Sequence, residues 1–459
     1  MVFSSILFIF RFLPLSLALY YITPNRFKNF ILFLLSLSFY FWGEAKYFIV
    51  IIASIVIDYT IGILIEKYRS NKLSIKVFLG ISIFFNLGIL VFFKYSNFFI
   101  DNINYIFSSD IRNLNLSLPL GISFYTFQTM SYSIDVYRQK IKAERNIINF
   151  ASFVVLFPQL IAGPIVKYKD IKNEIKVKNL SFSKIEEGIR LFILGLSRKV
   201  LIANNVGLLW EDIKSIGYEN ISTSLAWLGI LAFTIQIYFD FSGYSLMARG
   251  LGAMFGFTFP KNFDYPFISR SVSEFWRRWH KTLGDFFKEY VYIPLGGNRK
   301  GVLRLFLNLF IVWFLTGFWH GASYNFILWG LYFFLLIGIE KIILNKLLEK
   351  NKLLSHIYLI IAILISFVFF GISNFKMIKI YLFKLFYIQG GVSSIYYLSN
   401  YFMIIVIAIL FSTPYVNNIY NKYIKNKSYL DIFILMILFI VSIAYLVDLS
   451  YNPFLYFRF

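Results

Sequence analysis

Residues Phe306–Ala322 read FLNLFIVWFLTGFWHGA, an apolar run that closes on a histidine. No charged residue precedes His320 in this run, so a helix here would have no polar face to turn toward water. About 20 such residues cross the ~30 Å of hydrocarbon in a bilayer. Comparable runs recur along the chain, and we predict an all-α polytopic membrane protein of about eleven spans. The clearest candidate spans are Ile49–Ile65, Phe78–Phe93, Ala226–Phe239, Phe306–Phe318, Ile327–Ile339, Ile357–Phe370 and Ile432–Leu446, with Ile6–Tyr21 and Phe30–Phe41 extending the series toward the N-terminus.

Composition narrows the chemistry available to the chain. The 459 residues are 59% hydrophobic, whereas soluble domains have about 45–50% apolar residues. Cysteine is absent and the only histidines are His280, His320 and His356. This excludes disulfides and a cysteine nucleophile, and a zinc site with three protein ligands is not expected. We expect no metal, no tightly bound cofactor, and one integral-membrane domain over residues 1–459.

The net charge of +22 is carried mainly by short loops between spans. Lysine and arginine concentrate in the cytoplasmic loops of membrane proteins, so the charge predicts orientation and contact with membrane lipids rather than nucleic acid. Placing all three basic clusters in the cytoplasm puts the N-terminus outside. The clusters are Lys67, Arg69, Lys72 and Lys76; Arg138, Lys140, Lys142 and Arg145; and Lys167, Lys169, Lys172, Lys176 and Lys178.

Two apolar stretches are interrupted by residues that membrane helices tolerate poorly. Phe157–Pro164 contains two prolines and a glycine, which predicts a broken or re-entrant segment enclosed in protein; an interfacial loop is the alternative. Gln236 and Asp240 lie among aromatics near the end of a span. They are candidate substrate-binding residues, because an acid there needs a cavity or a partner; an acid reaching the interface is the alternative.

The stretch after Ser271 has the pattern of an amphipathic helix. Ser271 and Glu274 match a capping box, and apolar residues follow at steps of three and four, including Trp276 and Trp279. We predict one helix that continues to Pro294, with His280 on its apolar face. Such a helix would lie in the membrane interface or line a polar cavity.

His320 is the strongest candidate for a catalytic residue. An ionisable residue at this depth indicates function, although a structural histidine bonded to a carbonyl is the alternative. Gly317 and Gly321 lie on either side of His320 in the sequence and are one helical turn apart. The absence of side chains at both positions predicts an open groove beside the ring. Neutral imidazole can take a proton from a hydroxyl near pH 7, as acyl transfer from a thioester to an alcohol requires. Neither a serine-hydrolase elbow nor a nucleotide-binding loop is found.

Several motifs together resemble the membrane-bound O-acyltransferase superfamily, in its bacterial alginate and peptidoglycan O-acetyltransferase branch. The resemblance implies a funnel of tilted helices, with His320 as the catalytic residue and His280 as a second functional position. One departure is Leu246, where members usually carry an aspartate. The matching stretches are LPLGISFYTFQ (Leu118–Gln128), FPQLIAGP (Phe157–Pro164), QIYFDFSGY (Gln236–Tyr244), EFWRRWH (Glu274–His280), YIPLGGNR (Tyr292–Arg299) and FWHGA (Phe318–Ala322).

The resemblance also implies the setting of the reaction. It implies the bacterial cytoplasmic membrane, a cytoplasmic thioester donor such as acetyl-CoA, and an acceptor on the far side. An extracytoplasmic SGNH-type O-acetyltransferase is the implied partner, and an exported or cell-wall polysaccharide is the final acceptor. D-alanyl transfer to teichoic acids is the alternative within the family. A proton-coupled transporter is the alternative outside it, disfavoured because no inverted repeat is evident.

The last eight residues, NPFLYFRF, resemble the ending found in this branch. A tyrosine phenol becomes a nucleophile only beside a base. We therefore predict that Tyr456 receives the acetyl group with His320 as base and then passes it on. An interfacial aromatic anchor is the alternative. The candidate catalytic residues are thus His320, His280 and Tyr456, and the candidate substrate-binding residues are Trp276, Trp279, Trp319, Gln236 and Asp240.

Overall fold

The computed structural model describes residues 2–161, 163–178, 180–425, 427–448, 451–453 and 455. Helices dominate these ranges, in which the β-pairing recorded is one isolated bridge between Ile221 and Val392. Within the described residues, nine helices are long and apolar enough to cross a membrane, and the chain is an all-α polytopic membrane protein. Each of the seven clearest predicted spans falls within one of them. The nine are Phe48–Lys67, Lys72–Phe107, Phe182–Ile216, Thr223–Met254, Val302–His320, Tyr324–Lys350, Lys352–Gly371, Ser394–Phe411 and Tyr429–Asp448.

Shorter helices complete the chain. The apolar helix Phe8–Ile22 and the helix Lys28–Gly43 correspond to the two predicted N-terminal spans. The others are Ile122–Tyr137, Ile147–Val155, Phe157–Leu160, Tyr168–Lys176, Val272–Arg278, Lys281–Phe287, Phe375–Phe386 and Pro414–Tyr423.

Two long helices, Ser394–Phe411 and Phe182–Ile216, have no counterpart among the predicted spans named above. The sequence of Phe182–Ile216 mixes charged residues such as Arg190 and Lys199 with apolar ones, so no apolar run marks it. The structure shows how one of these charges is accommodated, because the Lys199 ammonium lies 2.8 Å from a carboxylate oxygen of Asp240 and both side chains are buried. A charge inside such a helix is tolerated when it finds an opposite partner.

The described residues fall into two compact units. The first contains the chain up to Phe192 together with Ser245–Pro260, and the second contains Ile193–Tyr244 and Lys261–Leu455. Two of the boundaries lie inside the helices Phe182–Ser197 and Thr223–Met254. No separate linker therefore divides the chain at these two points.

A buried carboxylate joins three helices of the first unit. Asp58 is fully buried and accepts hydrogen bonds from the hydroxyls of Ser82 at 2.5 Å and Ser133 at 2.7 Å. Its second oxygen accepts a bond from the Asn86 amide at 2.7 Å. These bonds offset the cost of placing a carboxyl group in an apolar interior, so Asp58 acts as a polar clamp between the helices.

The loops that carry the basic clusters approach one another within the first unit. The Glu66 carboxylate accepts bonds from the Ala143 amide at 2.5 Å and from Arg145 at 2.7 Å. The Tyr168 hydroxyl donates to Glu144. The prediction that all three basic clusters lie on one face of the membrane requires that these loops be close together. That this face is cytoplasmic stays a prediction.

The predicted break in the proline-rich segment is observed. Helix Ile147–Val155 ends before Leu156, which has an extended ψ of 103°, and the four-residue helix Phe157–Leu160 follows. The side chains of Leu156, Phe157 and Gln159 are buried, and Gln159 donates to the Phe153 carbonyl at 2.7 Å. The interruption is therefore enclosed by protein, as irregular backbone at membrane depth requires.

Candidate active site

The prediction of one continuous amphipathic helix after Ser271 is wrong. Helix Val272–Arg278 stops, Trp279 is extended, and His280 adopts a left-handed conformation with φ 42° before helix Lys281–Phe287 begins. Ser271 does accept the Glu274 amide at 3.0 Å, but the Glu274 carboxylate accepts the amide of Arg270 instead of that of Ser271. Hydrogen bonds to Asn262, which lies outside the helix, replace helical bonds at His280, Lys281 and Thr282 and explain the break.

Asn262 fixes the orientation of the His280 ring. Its amide oxygen lies 3.3 Å from the Thr282 backbone nitrogen, which can only donate, so an acceptor must face it. The same oxygen lies 3.0 Å from His280 Nδ1 and 2.9 Å from the Thr282 hydroxyl. His280 Nδ1 therefore carries the proton, and Nε2 keeps its lone pair. Nothing in the local sequence around Asn262 signals this role.

His280 is suited to accept a hydrogen bond while it stays neutral. Its side chain is buried, and this desolvation lowers its pKa to about 3, because burial disfavours the charged imidazolium. Among the described residues, no hydrogen-bond partner lies within reach of Nε2. His280 thus stays neutral at physiological pH with one basic ring atom left for another molecule.

His320 occupies the end of helix Val302–His320, inside an aromatic enclosure. Its ring centroid lies 5.0 Å from that of Trp319, 4.9 Å from Trp329 and 5.3 Å from Phe370, and the Trp329 and Phe370 rings meet it nearly edge-on. His320 is 2% exposed. The surrounding rings hold the imidazole in place and keep bulk water away from it.

Trp319 brings the two histidines together. Its ring centroid lies 6.1 Å from that of His280 and 5.0 Å from that of His320. The two imidazoles therefore contact the same indole, although one ends a helix and the other lies in the break between two further helices. This proximity is the central geometric feature of the site.

Two indole N–H groups near His320 have no partner among the described residues. Trp276 packs 5.4 Å from Trp329 and 4.9 Å from Trp313, and the Nε1 atoms of Trp276 and Trp329 are buried without a hydrogen bond. Buried N–H groups normally find an acceptor, so a substrate oxygen is a suitable partner for them. Trp329 was not among the predicted site residues, because it lies beyond the end of the His320 helix, in helix Tyr324–Ile339.

Trp279 packs in an aromatic layer next to this enclosure. Its ring centroid lies 5.4 Å from Phe275, 5.1 Å from Phe263 and 5.7 Å from Phe367. It is linked to the His320 enclosure through Phe367, which contacts Phe370 at 6.1 Å. Trp279 therefore supports the wall of the site.

The predicted open groove beside His320 is wrong. A Cβ atom on Gly317 would lie 2.3 Å from the Phe326 carbonyl oxygen, and one on Gly321 would lie 2.3 Å from the Phe326 ring. The space beside both glycines is thus filled by Phe326. The glycines allow helix Tyr324–Ile339 to approach closely, and they leave no passage for a substrate there.

Gln236 and Asp240 contact the segment 451–455, which precedes Tyr456. Gln236 donates to the Tyr451 hydroxyl at 2.9 Å, and Asp240 accepts the Leu455 amide at 2.8 Å. Tyr456 itself lies outside the described residues. The third histidine, His356, is half-buried near the start of helix Lys352–Gly371.

A buried acid on a neighbouring helix positions the helix that carries Trp276. Glu340 is 2% exposed and accepts bonds from the Val272 amide at 2.5 Å, the Ser273 amide at 3.0 Å and the Ser273 hydroxyl at 2.7 Å. A carboxylate at a helix N-terminus satisfies free amides and complements the helix dipole. Glu340 was missed from the sequence because its partners are distant in the chain.

Replacing Glu340 by alanine is expected to destabilise the site helix. Each buried amide left without an acceptor costs about 1–3 kcal/mol, so we expect a lower midpoint of thermal unfolding in detergent and at least a tenfold loss of acyl transfer. Glu340→Gln keeps a carbonyl acceptor and is expected to lose less. Glu349→Ala, at an exposed position of the same helical stretch, is the control; equal behaviour of Glu340→Ala and Glu349→Ala would contradict this role.

Comparison with known proteins points to one family. The model of MBOAT, the membrane-bound O-acyltransferase family, matches residues 137–386. The chain is 39% identical over 381 residues to the probable alginate O-acetylase AlgI of Pseudomonas aeruginosa, covering 82% of this chain and 73% of that protein. It is 35% identical to the peptidoglycan O-acetyltransferase of Helicobacter pylori, covering 82% and 78%. It is 28% identical to the teichoic acid D-alanyltransferase of Bacillus subtilis, covering 57% and 69%.

Proposed function

The chain belongs to the membrane-bound O-acyltransferase family, and from this premise we propose that it moves an acetyl group across the bacterial cytoplasmic membrane to an exported or cell-wall polysaccharide. The observation that carries the proposal is the pair of buried histidines against one indole, Trp319. A neutral imidazole in a dry enclosure suits general-base catalysis on a hydroxyl. The donor in this proposal is a cytoplasmic thioester such as acetyl-CoA.

The first step transfers the acetyl group to the chain itself. His320 takes the phenolic proton of Tyr456, and the phenolate oxygen attacks the thioester carbonyl carbon. The carbon–sulfur bond breaks, and the thiolate leaves with the proton that His320 had taken. The N–H groups of Trp276 and Trp329 stabilise the negative charge that develops on the carbonyl oxygen, and His280 Nε2 accepts a hydrogen bond from the reacting groups.

The second step releases the acetyl group outside. A nucleophile of an extracytoplasmic SGNH-type O-acetyltransferase attacks the Tyr456 ester, the phenol leaves protonated, and the partner esterifies a polymer hydroxyl. The aryl ester suits this relay because a phenol with a pKa near 10 is a better leaving group than an alkyl alcohol.

Acetyl is favoured over D-alanyl by the relatives. The two O-acetylases are more similar to the chain and are covered over a larger share of it than the D-alanyltransferase. Alginate-like polymers and peptidoglycan are the acceptors that these names suggest. D-alanyl transfer to teichoic acids is the second candidate, because the weaker similarity extends to that group.

The test is mass spectrometry of peptidoglycan and exported glycans from cells with and without the gene. We expect ester-bound acetyl, released by mild alkali, to fall to background in one fraction of the deletion strain and to return on complementation. A change in ester-linked D-alanine with constant acetyl would favour the second candidate. Unchanged acetyl and D-alanyl esters in every fraction would contradict both.

A further inference from the structure

A buried ion pair in the second unit bonds to the backbone of the segment 451–455. Lys199 and Asp240 are each 1% exposed, and their charged atoms lie 2.8 Å apart. The Lys199 ammonium also donates to the Pro453 carbonyl, and the second Asp240 oxygen accepts the Leu455 amide at 2.8 Å. The Lys199 ammonium thus binds the Pro453 carbonyl, and the Asp240 carboxylate binds the amide of Leu455, two residues later.

The segment supplies one of the two hydrogen-bond acceptors of Lys199. The Lys199 ammonium donates hydrogen bonds to the Pro453 carbonyl and to the Asn204 side-chain oxygen, the latter at 2.8 Å, and it forms an ion pair with Asp240. Asn204 in turn donates to the Asn452 side chain at 3.2 Å. Without the segment, the buried ammonium would keep its ion pair with Asp240 and its bond to Asn204 but would lose the Pro453 carbonyl.

A second group of contacts holds the same segment at Tyr451. The Tyr451 hydroxyl accepts a bond from Gln236 at 2.9 Å and donates to Glu211 at 3.2 Å. Gly207 leaves room for this pair, since a Cβ atom there would lie 2.3 Å from the Gln236 amide nitrogen and 3.1 Å from the Tyr451 hydroxyl. The segment is therefore held at residues 451, 452, 453 and 455.

This arrangement is more than an isolated buried ion pair. Burying two charges costs more than their attraction returns unless further bonds satisfy them, and here the segment supplies those bonds. The complementary carbonyl and amide also set the direction in which the segment runs. An extended backbone with the opposite direction would present its groups to the wrong charges.

We infer that Lys199 and Asp240 are positioning residues that dock the segment 451–455 and thereby hold Tyr456 for acyl transfer. Tyr456 follows Leu455 directly, and consecutive Cα atoms are about 3.8 Å apart, so anchoring Leu455 limits the reach of the next residue. This inference rests on the proposed relay through Tyr456. It assigns no chemical step to the ion pair itself.

The experiment uses two double variants that avoid a lone buried charge. Lys199→Asp with Asp240→Lys keeps an ion pair but presents the wrong charge to each backbone group. Lys199→Met with Asp240→Leu removes both charges at similar volume, which is often tolerated. Glu186→Gln, which removes the charge of an exposed carboxylate that pairs with Arg190 on the same helix, is the matched control.

Two readouts separate docking from folding. Because the chain has no cysteine, Leu455→Cys is a single reporter that keeps the backbone amide, and its maleimide labelling rate measures release of the segment. Acetyl on Tyr456 is measured by mass spectrometry after incubation with acetyl-CoA, on protein that is monodisperse in detergent. We expect both double variants to label at least tenfold faster and to carry at least tenfold less acetyl, with Glu186→Gln at the parental level.

The outcomes distinguish this inference from the function on which it rests. Unchanged labelling in folded double variants would overturn the docking, and faster labelling with parental acetyl on Tyr456 would overturn the positioning role. In either case the relay through Tyr456 stands, since acetylated Tyr456 is itself detected. Absence of acetyl on Tyr456 in the otherwise unaltered Leu455→Cys protein, in cells that still acetylate polymer, would instead contradict the relay.

Discussion

Replacing His320 by alanine is expected to abolish polymer acetylation while the protein still inserts and folds. A positioned general base contributes about 10²–10⁴-fold to a reaction, and the neighbouring imidazole of His280 is a poor substitute because burial lowers its pKa to about 3. The cavity left in the enclosure adds to the loss, because Trp329 and Phe370 would each lose the ring against which they pack. We expect acetyl on Tyr456 and on the polymer to fall about 10³-fold.

A second substitution and a control separate chemistry from packing. His320→Gln retains a polar side chain of similar size but has no basic ring atom, so it is expected to be as inactive as His320→Ala. His356→Ala lies near the start of helix Lys352–Gly371, at the opposite end from Phe370, and is expected to keep full activity. If His320→Gln acetylated polymer as the parent does, His320 would be a structural residue.

Replacing Tyr456 by phenylalanine is expected to reduce polymer acetylation to the background of a deletion strain. The change removes one oxygen atom, which in the proposed relay is the atom that carries the acetyl group. A role as an interfacial anchor would be weakened only in part, because phenylalanine keeps the apolar ring and loses only the hydroxyl. Acetyl content of the polymer, measured by mass spectrometry after mild alkali, is the readout.

The control for this change is Tyr445→Phe, at a half-exposed position of helix Ser428–Asp448. It removes the same oxygen from a tyrosine outside the proposed reaction, and we expect parental acetylation. Polymer acetylation that persisted in Tyr456→Phe would disprove the relay and would require direct transfer from the donor to another acceptor. Loss in both variants would point to a general effect of losing a tyrosine hydroxyl.

The sequence identified individual residues of the candidate site, but it did not predict which of them lie close together. His320 was identified because it follows a long apolar run without charged residues. That run alone predicts that the imidazole lies within the membrane. That His280 and His320 contact the same indole depends on how separate helices pack, which no local pattern records. Asn262, which sets the proton position on His280, lies in a stretch with no motif that reports its contacts.

The break at His280 is the clearest case in which tertiary contacts overrode a local pattern. The spacing of Trp276, Trp279 and later apolar residues matches a continuous helix, and helical periodicity is a real preference. The Asn262 backbone carbonyl accepts the Lys281 amide at 2.9 Å, and its side chain accepts from His280 and Thr282. These bonds take the place of helical ones, so the chain turns where periodicity predicts continuation.

Membrane residence, most of the spans and the two buried histidines were determined by the sequence alone. Each depends on a sum over neighbouring residues, because the free energy of placing a helix in hydrocarbon is nearly additive along a window. The tertiary structure decided the rest, namely the shared indole between the histidines, the filled space beside Gly317 and the Lys199–Asp240 pair. A charged residue lowers the mean hydropathy of the stretch that contains it, whether or not an oppositely charged residue lies nearby in the fold. Only the packing of helices that are distant in sequence brings that oppositely charged residue into contact. The run that ends at His320 therefore identified a membrane helix, while its surroundings made the end of that helix a candidate active site.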